Sequence, residues 1–200
     1  MMTFLEQLHE QRWDDHRYYH QSRINQTLHL MSAISFLAAY GLIFVSPAAA
    51  AVLGWIVAML LRQIGHFFFE PKGYDNVNQA THQHKEAIKI GYNLQRKRIL
   101  LAVWFAIPVL LYFDPSFFGY FKGPQDKMTY INNVGLLWLY LGPIAVLFRT
   151  IHLFFIYNAL TGFVWAAKIF TDPIHDLKMY YKSPLFLMKG ELFDDMVTHS

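Results

Sequence analysis

Two histidine-bearing stretches, one at each end of an apolar hairpin, hold the residues of this chain best suited to chemistry. Residues 18–30 read YYHQSRINQTLHL and place His20 and His29 nine apart. Residues 65–73 read GHFFFEPKG and place His66 and Glu70 four apart. On a helix, an i, i+4 pair shares one face. An imidazole and a carboxylate one turn apart can clip a hard or borderline metal, or can simply hydrogen-bond to each other. His20 and His29 would lie about two and a half turns apart on one continuous helix and face opposite ways. They converge only if the chain breaks between them. Ser22 or Asn25 offers that break, because either can cap the start of a new helix. Without the break, they read as two polar rings at an interface.

Other residues extend the candidate set. His16 and His20 are also i, i+4, and the His-x-x-x-His they form resembles the first histidine box of membrane fatty acid desaturases and hydroxylases. His82 shares a helical face with Glu86 and is a further candidate ligand, whereas His84 reads as a solvated loop residue. Arg149 lies within an apolar run, three residues before His152, and a cation there calls for an anion: Glu70, a lipid phosphate or a substrate carboxylate. His175, in TDPIHDLK, suits a surface or supporting position. The chain has no cysteine. Disulfides, thiolate metal sites and a cysteine nucleophile are therefore excluded, and a transition metal would be held by imidazole and carboxylate.

The elements that must position these groups are apolar. The 200 residues are 54% hydrophobic and only 16% charged, below the quarter or so usual in soluble domains. A net charge of +3, scattered along the chain, gives no nucleic-acid footprint. No phosphate-cradling glycine loop, nucleophile elbow or dinucleotide fingerprint is present. The N-terminal residues have no cleavable apolar core, so the first apolar run is expected to persist in the mature protein. Four runs, 28–45, 48–69, 99–113 and 134–157, approach the ~20 residues of a membrane-spanning helix, and 158–170 extends the last of them. The expected fold is an all-α polytopic integral membrane protein of about four transmembrane helices in a single domain, 1–200. An N-terminal segment (1–27) would precede a helical hairpin (28–69), a polar loop (70–98), further membrane helices (99–170) and a tail (171–200). Six lysines and arginines in 70–98 place that loop, both termini and the histidine cluster on the cytoplasmic side.

Together the two blocks resemble the membrane 2-hydroxy-fatty-acid dioxygenase family. That family pairs a Tyr-His, an Asn five residues on and a second His nine after the first with a later Gly-His-x-x-Phe-Glu. Here these are Tyr19-His20, Asn25, His29, Gly65-His66 and Phe69-Glu70. The resemblance covers residues 15–75, about a third of the chain. It departs after Glu70, where Pro71-Lys72-Gly73 replaces the family's basic pair and Pro-Ala, and 134 onward reads as a distinct branch. It implies an Fe(II)-dependent enzyme that uses O2 to remove one carbon from a long-chain 2-hydroxy fatty acid drawn from the lipid bilayer. His20, His29 and His66 would be ligands, with His82 next, Glu70 a ligand or an orienter of one, and Arg149, Lys72 or the 96–98 basic cluster attracting the carboxylate. Two other readings stand beside it. A di-iron acyl hydroxylase or desaturase would recruit His16, His82, His84, His152 and His175. A non-enzymatic metal-binding or structural membrane protein would need no substrate.

Overall fold

The computed structural model describes residues 2–122 and 126–196, so His199 lies outside the described residues. Among them the chain forms eight helices: α1 (Phe4–Tyr19), α2 (Arg23–Leu42), α3 (Pro47–Phe69), α4 (His82–Ile88), α5 (Leu94–Phe113), α6 (Lys127–Ile156), α7 (Ala159–Tyr180) and α8 (Ser183–Met188). Six of the eight start behind a Thr, Ser, Asn or Asp whose side chain accepts a backbone N–H of the first turn: Thr3, Ser22, Thr81, Asn93, Asp126 and Asn158. Helix starts are thus written locally in the sequence. Pro47 opens α3 at its first position, where its missing N–H costs nothing.

α2 and α3 form the expected hairpin. α7 lies along α2, α6 packs against both α7 and the start of α3, and α5 packs on α6. The apolar core joins α3, α5 and α6 through Ala51, Trp55, Leu111, Val134 and Trp138. Three indoles stack through it, Trp55–Trp104 at 6.2 Å and Trp104–Trp138 at 5.2 Å between ring centres. Pro108 cannot donate to the carbonyl four residues back, which belongs to Trp104. Trp138 Nε1 donates to that carbonyl instead, at 3.0 Å, and Trp55 Nε1 donates to the Trp138 carbonyl at 2.8 Å. The proline's missing bond therefore becomes a tertiary contact between α5 and α6.

The four-span topology is overturned. Only α3 and α6, Pro47–Phe69 and Lys127–Ile156, are long and apolar enough to cross a membrane among the described residues. The reason is where the helices begin. α2 starts at Arg23 rather than near residue 28, so it carries Asn25, Gln26 and His29 in its first two turns. α5 starts at Leu94 and includes Gln95, Arg96, Lys97 and Arg98. α7 is a separate helix that bears Lys168, Asp172, Asp176 and Lys178.

Buried ion pairs run through the fold in place of a uniformly apolar interior. Lys168 sits between Asp15 and Asp172, Arg62 meets Asp176, Arg23 meets Asp194 at 2.7 Å and Lys85 meets Asp75 at 3.4 Å. The segment 1–27 is not a free arm: α1 lies along α7 through Gln7–Thr161, Arg12–Asp172 and Asp15–Lys168. The polar 70–98 stretch is folded too, with Asp75 receiving Gln21, Asn78 and Lys85. Most of 171–196 belongs to α7, α8 and a strap that pairs with 21–23 through Asp194 N–Gln21 O and Arg23 N–Leu192 O.

α3 and α6 approach closely at Gly135, where an added Cβ would meet the Ala48 carbonyl oxygen at 2.6 Å. Gly135→Ala should lower stability by about 1–3 kcal/mol through overpacking. Gly41→Ala, which meets nothing within 4 Å, should leave stability level or raise it by up to about 1 kcal/mol through helix propensity. Thermal unfolding of the two variants beside the wild type checks both.

Candidate metal centre

α1 ends at His20, and the next helix starts three residues later behind Ser22. Two side chains from the first turn of α2 hold this break. Asn25 Nδ2 donates to the Tyr19 carbonyl and Gln26 Nε2 to the His20 carbonyl, both at 2.8 Å. These accept the role that intrahelical donors would fill in a continued helix. The turn folds His20 back over His29, with ring centres 4.0 Å apart.

α3 brings the third ring. Its last turn, Gly65–Phe69, is π-helical, a form that re-aims side chains and recurs at functional sites. His66 lies 5.3 Å from His20 and 5.0 Å from His29 between ring centres. Gly65 makes the approach feasible: a Cβ there would fall 2.0 Å from Asn25 Oδ1, in the side chain that caps α1. One ligand nitrogen from each of His20, His29 and His66 lies within 4.8 Å of the others.

The outer nitrogens show which atoms face inward. Tyr180 OH meets His20 Nδ1 at 2.9 Å, Glu70 Oε2 meets His66 Nδ1 at 2.8 Å, and Asp176 Oδ2 lies 3.6 Å from His29 Nδ1. His20 and His66 thus each have an oxygen hydrogen-bonded at Nδ1, whereas Asp176 stands beyond hydrogen-bond distance of His29, whose Nδ1 has no hydrogen-bond partner among the described residues. The Nε2 atoms of His20 and His29 are buried with no hydrogen-bond partner among the described residues. Buried polar atoms are rarely left so. Converging, unpartnered imidazole nitrogens backed by oxygens are the arrangement of a metal site whose outer hydrogen bonds fix tautomer and orientation. The residues present therefore fit a metal ion. Three neutral imidazoles suit zinc, copper, iron or nickel.

Electrostatics keep the rings neutral. Burial, then the neighbouring His29, holds the His20 pKa well below the ordinary histidine range. Burial and then Arg62 lower that of His29 to about 4, against the pull of Asp176. Burial would raise Asp176, but Arg62 above all, then His29, hold it at about 2. Arg62 therefore balances the charge of Asp176, which can orient His29 without protonating it.

The remaining sequence candidates are placed as follows. Glu70 addresses the outer nitrogen of His66, on the side away from the cluster, so the arrangement is three imidazoles and not two with a carboxylate. His82, at the start of α4, lies outside the group of three but acts electrostatically on Glu70. Arg149 is buried and turned away: its guanidinium donates to the Ile90 carbonyl and to His152 Nδ1, pinning the 89–93 loop to α6. Lys72, His9 and His84 are exposed. His16 lies behind Tyr180, whose hydroxyl it meets at 3.1 Å, and His175 lines the cavity described next.

Asp176, Tyr180 and Arg62 were not singled out from sequence. A signal existed, since Asp172, Asp176 and Tyr180 form an i, i+4, i+8 stripe on one helix.

The three histidines line one end of a cavity of about 360 Å³ between α2, α3, α6 and α7, closed also by residues of α1 and α5. Its far end is formed by Tyr40, Ile43, Ala50, Ala51, Trp138 and Leu139. Comparison with family models, curated proteins and solved structures found no match to this chain.

Removing an outer oxygen or its charge should weaken metal binding while leaving the ligands in place. Tyr180→Phe and Glu70→Gln should each cost about 10–100-fold in metal affinity, read by competition with a chelator, and His66→Ala should cost more. The pH response of the metal-free protein follows from His29. Its folded pKa is below its unfolded value of about 6.5, so the unfolded chain binds more protons between the two. Stability should therefore be complete above about pH 6.5 and fall as the pH drops toward 4, by on the order of 3 kcal/mol from this group. Thermal unfolding across that window checks the sign.

Proposed function

We propose that this protein is a metal-binding protein whose His20, His29 and His66 hold one divalent transition-metal ion. The observation that carries this reading is the pair of buried, unpartnered Nε2 atoms on His20 and His29, inside a group of three imidazoles oriented from behind. A single group of three ligands favours one ion per chain. The additional ligands of a di-iron centre are not gathered there: His82, His84 and His152 stand apart, and His16 faces Tyr180. The two span-length helices and the exposed apolar side chains of α5 and α6, among them Val103, Phe105, Phe113, Ile144, Leu147 and Phe155, support association with a membrane.

The cavity favours a finer reading. It is polar where the histidines line it and apolar at the other end, which suits an amphiphile with its head at the metal centre. Combined with the resemblance of residues 15–75, this supports an iron(II) dioxygenase of long-chain 2-hydroxy fatty acids. Iron(II), when bound, would supply the O2 chemistry that side chains lack. The chain's own groups do the rest. One nitrogen of each of the three rings would hold the ion, and Tyr180 and Glu70, with Asp176 beside His29, would keep the rings aimed. The apolar walls seat the alkyl chain.

The protein purified anaerobically with iron(II) supplied should carry about one metal per chain and lose it in His66→Ala. Elemental analysis measures this, and metal-free wild type after such loading would sink the first reading. Consumption of O2 by the loaded protein with 2-hydroxypalmitate, and not with palmitate, tests the second. A metal-loaded protein inert toward every 2-hydroxy acid would leave metal binding without oxygenase chemistry.

A further inference from the structure

We infer that Lys97 is the anion-recognising residue of the cavity, receiving the carboxylate of a single-chain amphiphile whose tail runs along α2 toward Ile43. This rests on the reading of the cavity as an amphiphile site.

Five cationic side chains line the cavity, and four are committed. Arg12 is bound to Asp172 and Thr171, and Arg62 to Asp176. Lys168 is bound to Asp15 and Asp172. Lys89 lies 3.6 Å from Glu86 and 3.9 Å from Glu70, with its ammonium 3.3 Å from the centre of the Tyr19 ring. The Lys97 side chain has no hydrogen bond or ion pair among the described residues, though it faces the same space.

Local structure does not account for a lysine at this position. Lys97 is in the first turn of α5, behind the Asn93 cap, where the helix dipole disfavours a cation. Burial and then Lys89 push its pKa well down; Glu70, Glu86 and Asp15 act in the opposite sense, but none of them pairs with it, so its ammonium has no direct counter-charge there. A carboxylate arriving from the cavity supplies one, as a charge-assisted hydrogen bond in a setting with little water.

The cavity gives the rest of the ligand. His29, Phe36, Tyr40 and Ile43 line it from one helix. The fourteen residue steps from His29 to Ile43 span about 21 Å along the helix axis. About 360 Å³ lies near the lower end of small-molecule sites, roughly 300–1,000 Å³, which suits one alkyl chain. Lys97 and the three histidines are together at the polar end, so a head group on Lys97 stands beside the metal centre.

The test uses metal-free full-length protein, so that loss of the metal reading cannot be mistaken for loss of this one. Trp55, Trp138 and Trp165 line the cavity and report occupancy. Displacement of a bromine-labelled alkyl quencher of their fluorescence gives affinities for palmitate, hexadecanol and hexadecyl phosphate. Wild type should prefer palmitate to hexadecanol by at least about tenfold. Lys97→Gln should lose that preference with hexadecanol binding unchanged, which also shows that the cavity is intact, and Lys97→Arg should retain most of it. Retention of the preference in Lys97→Gln would assign the carboxylate elsewhere and overturn the inference. So would equal binding of acid and alcohol by wild type, or a Lys97-dependent preference for the phosphate. Binding of none of the three would overturn both the inference and the amphiphile reading of the cavity, leaving the metal centre to stand on elemental analysis.

Discussion

Three imidazoles whose ligand nitrogens lie within 4.8 Å of one another in a buried place can coexist only while they stay neutral and aimed. That constraint organises the centre of this molecule. Like charges at such distances in a poorly solvated site would repel strongly. Neutral rings with lone pairs directed inward leave a donor at the outer nitrogen that needs an acceptor. The fold brings hydrogen-bond partners to two of them, Glu70 from the end of α3 and Tyr180 from α7, and sets Asp176, one turn before Tyr180, 3.6 Å from the third. These acceptors come from two distant places in the chain. The rest of the molecule is arranged to keep these acceptors in position. Arg62 balances Asp176, the α2 turn closes α1 so that His20 doubles back, and Gly65 lets α3 come close enough to present His66.

The interior combines two solutions to burial. At one end, α3, α5 and α6 share an indole-rich apolar core in which even the carbonyl freed by Pro108 is satisfied by an indole. Toward the metal centre, the same bundle is held by paired charges, Lys168 with Asp15 and Asp172 being the densest case. Burial would lower the Lys168 pKa, but the two carboxylates raise it, so the lysine is held charged. A buried pair contributes little net stability, yet breaking one partner leaves a stranded charge. Such networks fix the register of α1 on α7, and α7 carries Asp176 and Tyr180. The cavity runs between these two regimes, which is why it is polar at one end and apolar at the other.

The misreading of the membrane spans follows from the same physics. Apolar runs of the right length were visible at 28–45 and 99–113, but helix boundaries are set by capping side chains, and Ser22 and Asn93 start these helices five residues earlier. The added turns are polar, and they face the charged end of the bundle. Hydropathy along the sequence cannot separate a lipid-facing run from one that packs on an ion-paired neighbour, because both bury apolar atoms. Only α3 and α6 keep their apolarity across a full span.

Sequence alone determined the all-α class, the α2–α3 hairpin, the break near Ser22 and the pair His66–Glu70, since each depends on contacts within about one helical turn. It also singled out His20, His29 and His66, because their spacing placed them at the two ends of one hairpin. Tertiary structure decided what those residues face. It turned Glu70 to the outside of its histidine, tied Arg149 to a backbone carbonyl, and brought Asp176 and Tyr180 across more than a hundred residues to His29 and His20. Among the described residues it also left Lys97 as the one cation lining the cavity whose side chain has no hydrogen bond or ion pair. None of these could be read from spacing, because each is set by which helix packs beside which, and that follows from the burial of whole faces and the pairing of distant charges.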